Sequence, residues 1–184
     1  KKNINGLSKE YITEYSYGLT ESLNLLIPRF TGGGSGDMVD KDGDFFKSLQ
    51  NYDSDTARII YQNSRLYWGN QPIVEAPAYI GVSVFFLFIL GFTFLSKIQK
   101  IWIISSIAFA LTLSWGKNFP YLTDLFIDYF PFYDKFRAVS SIQVIIEFLI
   151  PLVAAIGVYN FFEGDSKKIN EKKLLTTTAA FIIT

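Results

Sequence analysis

Three stretches of this chain carry almost no charge, and their lengths constrain the fold more than any motif does. No side chain from Ala76 to Ser96 is charged, none from Ile101 to Gly116, and only Glu147 from Ala138 to Phe162. Net charge is zero and mean hydropathy is only +0.23, values that also suit a soluble protein. The charges crowd into the segments between the runs, which is the pattern of a membrane protein with wet loops. Buried core helices are the alternative. Runs of this length with Phe and Ile on every side argue against it.

The expected fold class is therefore an all-α integral membrane protein, a multi-spanning bundle with in-plane amphipathic helices and extracytoplasmic loops. Transmembrane helices are expected over 77–96, 101–116 and 138–162, with Pro77 at a helix start. The second run spans only about 24 Å and needs flanking residues or local thinning. Pro151 is expected to kink the third. Segment 174–184 reads as the start of a further span, cut short, and the chain begins at Lys1 without methionine. Both ends suggest an internal fragment of a larger bacterial inner (cytoplasmic) membrane protein.

Basic residues in short loops set orientation. Lys97 and Lys100 lie between the first two runs, and four lysines lie in 163–173. Both loops fall on one side if the three runs span. Placed in the cytoplasm, they leave segments 1–76 and 117–137 outside. The partner expected throughout is the lipid bilayer; no nucleic acid is expected.

The absence of cysteine and histidine removes disulfides, thiolate metal sites and the commonest general base. Acid–base chemistry must use carboxylates, lysines or tyrosines. Residues 9–28 have helical spacing, with Ile12, Tyr15, Leu19, Leu23 and Leu26 on one face and Glu10, Glu14 and Glu21 opposite. The glutamates either sit in water, or Glu14 or Glu21 faces a cavity and holds a cation or a sugar hydroxyl. Residues 31–56 read as a mobile loop. Within it "DKDGD" at 40–44 hints at calcium, yet an EF-hand register needs glycine and glutamate where Phe45 and Asn51 stand.

Tyr67 and Trp68 precede the first run and suit an interfacial belt. In 117–137, Leu122, Leu125, Phe126 and Tyr129 recur at helical spacing, with Asp124 and Asp128 on another face, until Pro131. A short in-plane helix is expected there. Lys135 and Arg137 then stand where the third span begins. They either snorkel to headgroups or strengthen a helix N-terminus that binds an anion, with Asp134 as their ionic partner in both cases. Glu147 inside the third run is either an acid–base or hydroxyl-binding group or an interhelical hydrogen-bonding one.

The stretches "YSYGLTESLNLLIPRFTGGGS" at 15–35, "YWGNQPIVEAPAYIG" at 67–81, "LSWGKNFPYLTDLFIDYFPFYDKFRAVS" at 113–140 and "EFLIPLVAA" at 147–155 together resemble the YfhO family of bacterial multi-spanning membrane proteins, in its Bacteroidetes form. Asn70 departs from that pattern, in which an acid is expected. The resemblance implies a glycosyltransferase of GT-C type that moves a sugar from a polyprenyl-phosphate donor to a cell-envelope glycan acceptor, with its catalytic base upstream of this fragment. On that reading Lys135, Arg137 and Lys117 bind the donor phosphate. Asp124, Asp128, Asp134, Glu21 and Glu147 are candidates for sugar hydroxyls or a divalent cation, and no other cofactor is implied. Tyr67, Trp68, Tyr129 and Phe132 stack on sugar or isoprenyl units. The rival readings are a transporter or flippase using Glu147, and a non-catalytic membrane scaffold.

Overall fold

The computed structural model describes residues 6–75 and 78–163. Pro77, the loop beyond residue 163 and the helix expected at 174–184 lie outside these residues. Among the described residues there are seven α-helices, several short 3-10 turns and no strand; Met38 and Arg65 form one isolated bridge. The described residues are all-α, and among them one stretch, Val139–Phe162, is long and apolar enough to cross a membrane.

Three long helices form the apolar body: α4 (Val82–Phe94), α5 (Lys97–Ser114) and α7 (Val144–Glu163). The first expected span is shorter than 77–96 because Gly81 is the N-cap of α4 and Leu95 is already extended. Ser96 then caps α5, accepting from Gln99 N–H while the Gln99 side chain accepts from Ser96 N–H. This reciprocal cap starts α5 four residues earlier than the apolar run, at Lys97, since it satisfies donors that a helix start leaves unpaired. The third apolar run opens with a 3-10 turn, Val139–Gln143, and continues through Pro151 in α7.

Side-chain packing fixes the directions. Ile80, Val84 and Phe85 pack with Ile146 and Ile150, whereas Phe92 and Leu95 meet Val153 and Ile156, so α4 and α7 run parallel. Ala110 joins the first cluster and Ile103 the second, so α5 is antiparallel to both. The starts of α4 and α7 and the end of α5 therefore share one end of the body. The α4–α7 approach depends on Gly91 and Gly157. A β-carbon at Gly91 would collide with the Val153 carbonyl oxygen, and one at Gly157 would lie 2.7 Å from Gly91 N. Helices that meet through glycines gain backbone contact without side chains between them.

The remaining segments form a cap on that end. The predicted helix over 9–28 is not continuous. It reduces to α1 (Lys9–Ile12), capped by Ser8, and a 3-10 turn at Thr20–Leu25. The backbone between them bonds elsewhere: Tyr17 N–H donates to Ser114 O (2.9 Å), Tyr15 O accepts from Ser140 N–H (3.1 Å), and Ser16 Oγ accepts from Lys117 N–H (3.0 Å). Leu7 N–H adds a bond to Asp134 O at 3.0 Å. These long-range partners outweigh the amphipathic period, a case of tertiary contacts overriding propensity. Residues 31–56 are not one loop either; they hold α2 (Asp44–Leu49), and α3 (Ser54–Asn63) starts on an Asp53 cap. The short helix expected after 117 is present as α6 (Pro120–Tyr129), with Pro120 in its first turn.

Candidate functional site

The "YGLTE" and "YWGN" stretches meet in the cap around a buried carboxylate. Glu21 is only 2 % exposed. One oxygen accepts from Gly18 N–H at 2.6 Å and the other from the Tyr67 hydroxyl, which itself accepts from Gln71 N–H at 3.0 Å. Gly69 is needed here because a β-carbon would run into the Glu21 carboxylate and the Tyr67 ring. Periodicity assigns Glu21 to a polar face, but its burial follows from loss of the helix: a 3-10 turn points it inward, where two donors receive it. Burial, and then the hydrogen bond to Glu21, push the Tyr67 hydroxyl above its ordinary value. Tyr17, 5 % exposed, is pushed up to about 12 by burial foremost, with the Glu21 and Glu147 charges adding to it and the Ala78 backbone opposing. Tyr67 is thus a structural partner of Glu21, with its hydroxyl committed on both sides.

Two cavities flank α1. The first is an apolar groove of about 420 Å³ whose wall includes Ile12, Leu113, Phe136, Val139 and Ile142, with Arg137 as its one charged residue. It opens where α5 ends and the third apolar run begins. The guanidinium lies 4.4 Å from the Tyr11 ring centre and 4.9 Å from that of Tyr15, and it forms an ion pair with Glu14. The Glu14 bond and charge raise the Arg137 pKa further above its already high value.

The second is a polar cleft of about 620 Å³ lined by Lys9, Glu10, Thr13, Glu14, Asn70 and Lys117, among others. Lys9 is engaged, with Nζ 2.6 Å and 2.8 Å from the two carboxylate oxygens of Asp124. Lys117 is exposed and its ammonium has no hydrogen bond or ion pair among the described residues.

The three cations assigned to one phosphate are thus dispersed. Arg137 belongs to the groove, Lys117 to the cleft, and Lys135 lies 3.9 Å from the buried carboxylate of Asp134. The helix N-terminus expected beside Lys135 and Arg137 is also displaced. Ala138 turns left-handed (φ 67°), a 3-10 turn follows, and α7 itself starts only at Val144. The acids are dispersed as well. Asp124 pairs with Lys9, Asp128 is exposed, and Asp134 is buried beside Lys135. Among the described residues no group of three carboxylates is placed to hold a metal ion.

Glu147 is exposed in the first turn of α7 and lines a third cavity, of about 560 Å³, with Glu75, Tyr17, Gln71 and Gln143. Trp68 is 66 % exposed with Phe30 at 6.3 Å, while Tyr129 and Phe132 are 83 % and 73 % exposed. These aromatics face outward and line neither flanking cavity, so the structure does not gather them into one stacking platform.

Sequence reasoning named Glu14 and Arg137 separately and did not pair them. Nothing local joins residues 123 positions apart. The nearest signal is the spacing of Tyr11 and Tyr15, one turn apart and adjacent to Glu14, which makes a face suited to a guanidinium. No protein family, no curated protein and no solved structure matches the chain.

Proposed function

We propose that this chain is part of a multi-spanning membrane glycosyltransferase of GT-C type, which takes a sugar from a polyprenyl-phosphate donor and passes it to a cell-envelope glycan acceptor. The observation that carries this reading is Arg137 standing at an apolar groove where the cap meets the helical body. An isoprenyl chain suits the apolar walls and its phosphate suits the guanidinium, which matches phosphate oxygens through a planar fork of donors. Arg137 then stabilises the leaving polyprenyl phosphate as negative charge grows on it. The polar cleft on the other side of α1, with Glu10, Thr13, Asn70 and Lys117, offers acceptors, donors and a charge to sugar hydroxyls.

A bilayer setting for α5 and α7 is supported by their outward faces. Ile98, Ile101, Trp102, Ile104 and Phe109 on α5 are exposed, as are Phe148, Leu152 and Tyr159 on α7. Apolar surface on that scale calls for cover, and lipid supplies it. At about 20 Å and 27 Å, α4 and α5 are short for a bilayer and call for local thinning. The catalytic base is not assigned to this segment. Membranes containing the protein should transfer sugar from a polyprenyl-phosphate sugar to endogenous acceptor. Arg137→Gln should abolish transfer while the protein stays inserted with its melting temperature within a few degrees. Full transfer by that variant removes Arg137 from the site, and no transfer by the native protein removes the reading.

A further inference from the structure

Glu14 and Arg137 join two cavities that are otherwise separate: Glu14 lines the polar cleft and Arg137 lines the apolar groove. We propose that Glu14 is a displaceable occupant of the anion site. A lipid phosphate entering the groove takes over the Arg137 fork, and the freed Glu14 carboxylate turns into the polar cleft to accept a hydrogen bond from a hydroxyl of the second ligand. The proposal rests on the lipid-phosphate reading above and adds the order of events: the groove must be charged before the cleft acquires its acceptor.

Five observations support the exchange. The ion pair is open to water, with the Arg137 and Glu14 side chains 41 % and 40 % exposed. Pairs so exposed add little stability, so replacing one costs little. Glu14 engages a single guanidinium nitrogen, whereas a phosphate can present two oxygens to the same fork. Arg137 does not depend on Glu14 for its place, because the Tyr11 and Tyr15 rings hold the guanidinium by cation–π contact. Glu14 itself sits past the end of the four-residue α1, where its N–H reaches Tyr11 O only at a long 3.5 Å, so it can swing without unravelling a helix. Lys117, unpaired among the described residues, waits in the cleft as a cation toward which the carboxylate moves.

Thermodynamic reciprocity adds a requirement. If phosphate binding frees Glu14, then a cleft ligand that engages Glu14 must strengthen phosphate binding by the same factor.

The test uses the purified protein in neutral detergent, titrated with dioctanoyl phosphatidic acid as the lipid phosphomonoester and with inorganic phosphate as the soluble one. Glu14→Gln should bind the lipid roughly two- to fivefold more tightly than the native protein, the factor by which an exposed ion pair competes. Arg137→Gln should bind it at least about tenfold more weakly. Inorganic phosphate should bind native protein more weakly than the lipid, because it leaves the groove empty. Equal or weaker lipid binding by Glu14→Gln overturns the exchange, and so does a native protein that binds neither phosphate. Preference for inorganic phosphate overturns the lipid as occupant. If Glu14→Gln tightens lipid binding but no sugar is transferred in membranes, the glycosyltransferase reading falls and the exchange stands.

Discussion

Tyr17 shows how much of the cap depends on a single hydroxyl kept out of water. Its side chain is 5 % exposed and is pushed up to about 12, whereas an unfolded tyrosine titrates near 10. The folded state therefore keeps a proton that the unfolded state gives up. The stabilisation is complete below pH 10 and disappears as pH climbs through about 12. Thermal unfolding followed at increasing pH should show the melting temperature falling across that window, and Tyr17→Phe should flatten the fall. An unchanged slope in the variant would place the titration elsewhere. At this scale the sequence was a poor guide. Glu21, Glu14 and Arg137 were all recognised as chemically capable, but their surroundings come from residues far along the chain. Gly18 and Tyr67 bury the first, and the Tyr11 and Tyr15 rings flank the last. Periodicity describes neighbours on one α-helix, whereas Glu14 and Arg137 lie outside any helix and Glu21 sits in a 3-10 turn.

At the scale of elements, the glycine contact between α4 and α7 is the most exacting feature. The atom that a β-carbon at Gly91 would strike is the backbone carbonyl oxygen of Val153, which cannot rotate away as a side chain can. Gly91→Ala should therefore force the helices apart and cost about 1–3 kcal/mol, the usual range for overpacking. Gly157→Ala should do the same. The double variant should cost less than the sum, because both act on one contact. Melting temperatures of the three variants check this, and full additivity would mean that the two glycines serve separate contacts. The apolar helices were legible in the sequence because uninterrupted apolarity is a property of a single segment. Their ends were less so. Ser96 reads as a cap only when Gln99 is seen to answer it, and the start of α7 is delayed by a backbone reversal at Ala138. The amphipathic stretch 9–28 failed as one helix because Ser114 and Ser140 claim its backbone groups.

At the scale of the molecule, one end of the body carries the whole cap and the other carries the Lys97–Lys100 turn. The proposed orientation puts those ends on opposite sides of a bilayer. The natural lack of cysteine makes this simple to check. In intact cells a membrane-impermeant maleimide should label Asp55→Cys, in exposed α3, and should label Lys97→Cys only after the membrane is opened. The reverse pattern would invert the protein and take the cap away from external substrates. The all-α class was readable from charge spacing alone, whereas the two cavities flanking α1 were not. They arise where residues 9–14, 70–72, 113–120 and 133–145 converge, and no local pattern announces that convergence.

The parallel packing of α4 against α7 also bears on how the protein is made. Fifty positions separate Phe94 from Val144, so α5 and α6 are synthesised before α4 can meet the helix it packs against most closely. At about 5–20 residues per second that is a wait of several seconds. During it Gly91 offers a bare strip of backbone to whatever lies beside α4. The α4–α5 hairpin can form as a unit, but residues 7–22 cannot dock until Ser114 and Ser140 have both emerged to receive them. The strip at 7–22 therefore waits for partners made about a hundred or more positions later, and a chaperone that holds it has a defined interval in which to act.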